Sequence, residues 1–470
     1  MSLRLIECLV DHGRRTPDEP ALVRLSTRQT WTWRDLNRAA ASVAPHLHGP
    51  PGQTVILCGP NEPAFVAAFL GALAAGWQVF PVSPQSPVRE LQSLADAAGA
   101  TAVIGHQPAL DAIGFGRWMI DLAKVTPDNR SSLTSEACDV PTAALLLHSS
   151  GSTGRPKIVR RGAAAVDAVS QSICQAVGFT QRDRILAAAP LCHSYGMEHG
   201  LLAPVWAGSC AHLYDTFDVP AVMQALDGPV TIFPGVPFMF DVLSRASRGA
   251  AHLRRAYSAG GPLGRTAALA FEKLFGIAVG QVYGTTEIGS ATLSDPLADG
   301  FNPAGVGRPM PGVSIAIDEQ TGEVLVRSDS MFDGYVGTTS EQSQLNSEGF
   351  YRTGDIGQFD ESGNLIITGR LKLMIDVGGR KVNPLEVEGV LADHPAVGQC
   401  VVVPLNLGEG LTRLKALVTP RNMGVEPTPT ELRQFVKQRL AAYKVPRTFE
   451  VRRELPTSPA GKVLRDQISG

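Results

Sequence analysis

Between Val55 and Gly105 the chain alternates short apolar runs with helical patterns. Val55-Ile56-Leu57 reads as a strand, with Asn61 as N-cap of a helix opening near Pro63. Trp77 to Val82 reads as a second strand, Val88 to Ala98 as a helix and Thr101 to Gly105 as a third strand. Strand–helix–strand repetition across short Gly/Pro connections predicts a parallel, helix-covered sheet. The pattern returns in a helical segment from Gly162 to Val177 and in strands Arg184 to Ala188 and Val230 to Phe233. Further helices fit Pro237 to Ser247 and Arg265 to Phe275.

From about Gly305 the character changes. Val313 to Ile317, Gly322 to Arg327 and Gly363 to Thr368 read as short strands between acidic, Gly-containing turns, a smaller β-rich section. Beyond Arg370 the tail reads as a βαββαβ-like run over Leu385 to Ala392, Val397 to Pro404, Arg413 to Thr419, Thr430 to Ala442 and Thr448 to Val451. The expected fold is α/β. A large N-terminal body of parallel and mixed sheets with helices carries a β-rich subdomain, followed by a small α+β C-terminal domain. The boundary falls in the Gly369-Arg370-Leu371-Lys372 turn, dividing the chain into 1–368 and 369–470.

Composition removes several classes. Hydrophobic residues are 44% and charged residues 18% of 470, enough apolar material for a core and too little charge for disorder. Lys plus Arg number 42 against 44 acids, so no bulk charge draws the chain to nucleic acid or an anionic membrane. Seven cysteines are widely spaced with no Cys-x-x-Cys, which points to a reducing cytoplasm rather than a disulfide framework or zinc ribbon. The opening residues lack the basic stretch, apolar run and cleavage site of a signal peptide. Ala64 to Val82 is 19 residues without a charge, nominally long enough for a bilayer. Its Ala/Gly content, Gln78 and Pro81 favour a buried helix followed by a strand, so no membrane span is expected.

Three segments carry chemistry. In Leu145-Leu-Leu-His-Ser-Ser-Gly-Ser-Thr-Gly-Arg-Pro-Lys157, an apolar run delivers the chain into small and hydroxylated residues. Gly151 and Gly154 allow close backbone approach to phosphate oxygens, Ser149, Ser150, Ser152 and Thr153 add hydroxyls, and Lys157 adds a point charge. Arg155-Pro156 between Gly154 and Lys157 excludes a Walker A loop; a flexible surface turn is the alternative. In Gln281-Val-Tyr-Gly-Thr-Thr-Glu-Ile-Gly289, Tyr283 suits stacking on a base, Thr286 a phosphate, and Glu287 a magnesium ion as a hard oxygen ligand. Thr-Thr-Glu equally suits a capped helix start. In Tyr351-Arg-Thr-Gly-Asp355, a carboxylate is suited to accept from two ribose hydroxyls, or simply to occupy a β-turn.

The ordered set formed by these segments with Gly-Arg-x-Lys at Gly369 to Lys372 and Pro-x-Gly-Lys at Pro459 to Lys462 closely resembles the adenylate-forming superfamily. That superfamily holds acyl- and aryl-CoA synthetases, luciferases and peptide-synthetase adenylation domains. The likeness runs from Thr16-Pro17-Asp18-Glu19-Pro20-Ala21-Leu22 to Lys462, essentially the whole chain.

The resemblance implies that Ser149, Ser150, Gly151, Ser152, Thr153 and Gly154 with Lys157 lie over the ATP β- and γ-phosphates. Gly260, Gly261 and Pro262 resemble the wall between adenine and the acyl site. Tyr283 would stack on adenine, with Gly284 and Thr285 also in the ATP site, Thr286 would contact the α-phosphate, and Glu287 would bind Mg²⁺. Asp355 would take the ribose hydroxyls with Arg370 beside it. Lys372 matches the hinge about which the small domain rotates, and Lys462 the lysine essential for adenylation. Gly378, Gly379 and Arg380 resemble the face that meets a pantetheine thiol. His193 and Tyr195, in a Pro-Leu-x-His-x-Tyr-Gly match, would border the acid, with Val236, Gly261, Gly284 and Ile288 as further wall positions; Val236 and Ile288 are equally explicable as core. Two departures stand out. Many relatives carry Lys where Asp376 stands, and His or Asn after the phosphate loop where this chain has Arg161-Gly162-Ala163.

The activity so implied is ATP-dependent adenylation of a carboxylic acid, then transfer to CoA or to a carrier-protein pantetheine. The segment around His193 lacks the Asp with which amino-acid-activating relatives pair an ammonium, which favours a plain apolar acyl or aryl acid. Loading of a dedicated acyl carrier protein, use of the adenylate for lactone closure, and a non-catalytic nucleotide-binding scaffold stand as alternatives. The expected partners are the acid and CoA or an acyl carrier protein, with no nucleic acid, and the expected assembly is a monomer or homodimer.

Overall fold

The apolar run at Val55-Ile56-Leu57 becomes strand Thr54–Cys58, buried along its whole length inside a seven-stranded sheet. The computed structural model describes residues 3–114, 116–129, 131–134, 139–149, 157–215, 217–246, 252–337, 345–377, 380–407, 412–421, 426–457 and 463–468. Across this sheet lie Gly334–Tyr335, Lys157–Gly162, Ala144–Ser149, Gln78–Val82, Thr54–Cys58, Ala100–Gly105 and Trp118–Asp121. The last five pair in parallel. Covered strands of this kind are apolar on both faces, which is why the sequence reads as continuous Val/Ile/Leu runs.

A nine-stranded sheet runs Arg308–Pro309, Gly289–Ser294, Val279–Thr285, Arg255–Ser258, Ile232–Gly235, Arg184–Ala187, Cys210–Leu213, Pro20–Arg24 and Gln29–Thr32. Its six inner strands from Val279–Thr285 to Pro20–Arg24 are parallel, and antiparallel strands close both edges.

Helix Pro63–Ala74 packs on helix Trp33–Ala41 and is buried on nearly every side. Phe65, Phe69, Leu70 and Leu73 are at most 1% exposed, each burial worth about 1.5–3 kcal/mol. The uncharged stretch Ala64 to Val82 is therefore a buried helix and then strand Gln78–Val82. Among the described residues no helix is long and apolar enough to cross a membrane.

Asn61 does not cap this helix. The cap position is Glu62, which makes no side-chain cap bond. Asn61 instead donates to the carbonyls of Ala187 (3.2 Å) and Ala189 (3.0 Å) and accepts from the Leu191 N–H (2.9 Å). A buried amide that both donates and accepts satisfies backbone groups beyond the end of a strand in the other sheet, a use stronger than one cap bond. Other boundaries differ from expectation: Val230 to Phe233 begins as a strand only at Ile232–Gly235, the helix from Pro237 stops at Leu243, and the helix expected over Thr430 to Ala442 stops at Lys437.

The β-rich section is a four-stranded antiparallel sheet of Val313–Ile317, Glu323–Ser328, Tyr351–Phe359 and Leu365–Arg370. After it come hairpin Ile375–Val377/Arg380–Val382, helix Pro384–Ala392, strands Val397–Asn406 and Thr412–Pro420, helix Pro429–Lys437 and strand Thr448–Val451. The hairpin adds a strand to the expected run. Thr428 and Glu431 form a reciprocal capping box at the start of Pro429–Lys437. This segment gathers its own core around Val382, Val387, Leu391, Val402, Ala416 and Leu432.

Candidate active site

Parallel strands Ile232–Gly235, Arg255–Ser258 and Val279–Thr285 end side by side, with Gly235 opposite Ser258 and Ser258 opposite Gln281. The residues that follow, Val236, Gly260 to Pro262 and Tyr283 to Thr286, are thereby brought to one edge, where open α/β sheets bind ligands. Gly260 has φ +87°, a left-handed conformation that a side chain would strain. A β-carbon at Gly261 would stand 3.9 Å from Pro237 Cγ.

Thr-Thr-Glu is the tip of a β-hairpin rather than a helix start: Thr285 pairs with Gly289, leaving Thr286, Glu287 and Ile288 as the turn. A β-carbon at Gly284 would lie 2.2 Å from the Gly289 carbonyl oxygen, so only glycine fits there. Ile288 does not join Val236 on one wall. It is fully buried with Ala291, Val324, Val326, Tyr351 and Leu365, whereas Val236 packs with Phe233 and Phe240. The apolar tip residue is buried beneath the four-stranded sheet, a core placement.

Asp355 is 5% exposed and both its oxygens are engaged. The Tyr283 hydroxyl donates to Oδ2 at 2.8 Å and Arg370 Nε to Oδ1 at 2.5 Å. Burial and the Asp355 charge push the Tyr283 phenol up, keeping it a donor. Tyr283, Asp355 and Arg370, three residues singled out from the sequence, thus come together.

Lys157 stands opposite Ser149 where Ala144–Ser149 and Lys157–Gly162 pair antiparallel. Its ammonium lies 4.5 Å from the centre of the Tyr335 ring, and the Tyr335 hydroxyl donates to Glu287 Oε1 at 3.2 Å. One tyrosine not singled out from the sequence therefore links the lysine to the carboxylate. Among the described residues no three His, Cys, Asp or Glu side chains cluster as a metal site. A single buried carboxylate suits Mg²⁺, which binds through one or two protein oxygens plus substrate phosphates and water. Ser150, Gly151, Ser152, Thr153, Gly154, Gly378, Gly379 and Lys462 lie outside the described residues.

On the acid side, the His193 ring stacks on His148 at 5.4 Å. Burial, with His148 beside it, pushes His193 down to about 4, so the imidazole is neutral near pH 7. Tyr195 donates to the Tyr257 carbonyl at 3.2 Å. His193 Nε2, Ser258 Oγ and Thr285 Oγ1 are buried without a hydrogen-bond partner among the described residues. Such atoms are uncommon in folded proteins and suit a polar ligand. Burial pushes the Cys192 thiol up to about 12, which makes it packing rather than a nucleophile. Lys372 is exposed in the turn Leu371–Leu373, directly after Arg370. Arg380 is exposed and stacks 4.9 Å over the Tyr443 ring.

Arg161 stands out in the sequence only as a departure from the His or Asn of relatives, and Glu198, His199 and Ser290 not at all; all four are at most 3% exposed. A signal was present. Glu198-His199 interrupts an otherwise uncharged run, where buried charge requires a partner.

A family described as AMP-binding enzyme matches residues 9–336, and the AMP-binding enzyme C-terminal domain matches residues 386–462. A feruloyl-CoA synthase of Amycolatopsis sp is 29% identical over 98% of this chain and 97% of its own. The ATP-bound MatB of Rhodopseudomonas palustris superposes with a TM-score of 0.89 at 22% identity, over 99% and 98% of the two chains. The O-succinylbenzoate coenzyme A synthetase of Bacillus subtilis, in complex with ATP and magnesium, does so with 0.86 at 25% identity, over 98% of each. The family match extends over well more than half of the chain and takes in the Thr-Thr-Glu hairpin and strands Ala144–Ser149 and Lys157–Gly162; the chain belongs to the AMP-binding enzyme family.

Proposed function

We propose that this chain is an AMP-forming acid–CoA ligase acting on an apolar acyl or aryl acid. A carboxylate resists direct thiol attack because its leaving group is oxide. In the first step a carboxylate oxygen attacks the α-phosphorus of ATP, a P–O bond forms, and pyrophosphate leaves with the electrons of the broken P–O bond. In the second, the CoA sulfur attacks the acyl carbon, AMP leaves, and the thiol proton is released. Bringing two anions together makes positioning and charge stabilisation the dominant tasks.

In this reading Asp355 takes the ribose, with Tyr283 and Arg370 fixing its carboxylate. Gly260 to Pro262 and Gly284 border the adenine and the acid, and the Thr285 hydroxyl faces the nucleotide. Thr286 meets the α-phosphate, while Lys157 and the loop Ser149 to Gly154 meet the outer phosphates. Glu287 would hold Mg²⁺, which supplies positive charge to the triphosphate. His193, Tyr195 and Val236 border the acid, and neutral His193 offers a hydrogen bond rather than a charge. Residues 1–368 form the adenylating body and 369–470 a small domain turning about Lys372. Lys462 serves the first step, and Gly378, Gly379 and Arg380 serve thiol entry.

One observation carries this reading: Tyr283 and Arg370, from different sheets, meet on the single carboxylate of Asp355, beside the hairpin that bears Thr286 and Glu287. The likeness to a feruloyl-CoA synthase supports an aryl acid and CoA as acceptor. The test is thioester formation from ATP, Mg²⁺, CoA and a panel of aryl, aliphatic and amino acids. Thioester with an aryl or aliphatic acid and free CoA is expected. Product only with a holo carrier protein would move the acceptor assignment, and activity only with amino acids would overturn the substrate class.

A further inference from the structure

Strand Lys157–Gly162 carries Lys157 at its start and Arg161 four residues later. Arg161 is fully buried. Its Nε and Nη2 donate to the Thr286 carbonyl at 3.0 and 2.6 Å, and Nη2 also reaches the Thr285 carbonyl at 3.3 Å. Nη1 donates to Glu198 Oε1 at 2.6 Å. On the opposite limb of the same hairpin, Glu198 Oε2 accepts from the Ser290 N–H at 3.1 Å and from its hydroxyl at 2.6 Å. The hairpin tip is therefore held from both strands by one ion pair.

The arrangement is specific to a guanidinium, whose planar fork serves two successive carbonyls and a carboxylate together; an ammonium is a single point. Glu198 opens the π-helical turn Glu198–Leu202, a rare irregularity that is frequent at functional sites. Beside it, burial pushes His199 down to about 4, leaving it neutral. Its Nε2 lies 3.0 Å from Ser290 Oγ and its Nδ1 3.0 Å from the Tyr257 hydroxyl. Because the Ser290 hydroxyl is spent on Glu198, the network assigns the proton to His199 Nε2, with Nδ1 accepting from Tyr257. The chain of bonds runs on to Tyr195, which donates to the Tyr257 carbonyl. Burying two charges is costly, and a purely apolar pair serves packing as well or better.

We propose that the Arg161–Glu198 pair is a positioning device for adenylation: it sets the height of the Thr285-Thr286-Glu287 tip relative to the strand that follows the phosphate loop. This rests on the function proposed above, in which Thr286 meets the α-phosphate and Glu287 the metal. Neither charged group touches the reacting atoms; both act through the hairpin backbone.

The test uses the full chain with Arg161→Met and Glu198→Met combined, which removes both charges together, and Arg161→Lys, which keeps the charge balance but not the fork. Hydrogen exchange at amides 285–290 is expected to quicken at least tenfold in both variants, with little change in strand Thr54–Cys58. Adenylation kcat should fall at least thirtyfold in the double variant, with the half-saturating Mg²⁺ concentration raised at least fivefold. Thioester formation from a supplied acyl-adenylate should stay within threefold of wild type, a readout that general core damage would also lower. If the double variant does not fold, Arg161→Lys decides by the same readouts. Unchanged exchange at 285–290, or adenylation within threefold of wild type in a folded variant, overturns the proposal. A wild-type protein that adenylates no acid instead overturns the function above, and the exchange measurement then still decides whether the pair holds the tip.

Discussion

Asp355 and Arg370 face each other in register across strands Tyr351–Phe359 and Leu365–Arg370, and Arg370 Nε donates to Asp355 Oδ1 at 2.5 Å. The strand pairing thus aims a buried carboxylate while leaving the Arg370 side chain 42% exposed. Adding the Tyr283 hydroxyl at 2.8 Å gives the carboxylate a fixed orientation before a nucleotide binds. Such preorganisation lowers the ordering cost of binding.

Replacing Asp355 by Ala removes the acceptor proposed for the ribose and leaves Arg370 without the carboxylate it bonds. Hydrogen bonds to charged groups contribute about 1.5–3 kcal/mol, so KM for ATP should rise roughly 10- to 100-fold while KM for the acid changes little. Steady-state kinetics with each substrate varied in turn checks this. An unchanged ATP KM would place the ribose elsewhere.

Gly284→Ala should damage the hairpin from within. The new methyl would meet the Gly289 carbonyl oxygen at 2.2 Å, a contact with backbone that cannot rotate away. Overpacking of this kind costs about 1–3 kcal/mol. A lower unfolding temperature and a loss of adenylation larger than any change in ATP binding are expected, measured by calorimetry and pyrophosphate release. A variant with wild-type stability would show that the tip is more compliant than its geometry implies.

Acid should destabilise the fold through buried histidines. His193, His199 and His212 are each pushed down, chiefly by burial, from 6.5 to about 4. Between these values the unfolded imidazoles bind protons that the folded ones refuse. Stability is therefore full above pH 6.5 and falls as pH drops toward 4, by about 3 kcal/mol for fully buried His199. Unfolding temperatures from pH 7.5 to 4.5 should decline below 6.5. A flat profile would mean that these rings reach water.

The architecture was legible wherever one segment's own pattern determines its burial. Val55 to Leu57 declares a covered parallel strand, and Arg265 to Phe275 a helix, without reference to distant residues. What stayed hidden depends on partners far along the chain. Asn61 looks like a cap because the carbonyls it serves, Ala187 and Ala189, are more than 120 residues away. Arg161 meets a carboxylate 37 residues on, and Tyr335 reaches Glu287 across 48. Ile288 reads as a wall residue by motif position, yet its face is chosen by the subdomain beneath it.

Acyl-adenylate formation is the step on which the proposed function stands, and ATP–pyrophosphate exchange without any thiol reports it. With ATP, Mg²⁺ and an aryl or aliphatic acid, labelled pyrophosphate should enter ATP only when the acid is present. Lys462→Ala should lower that exchange roughly 10²- to 10³-fold, the typical loss of one oriented electrostatic stabiliser. Exchange that is absent with every acid, independent of acid, or indifferent to Lys462→Ala would contradict it.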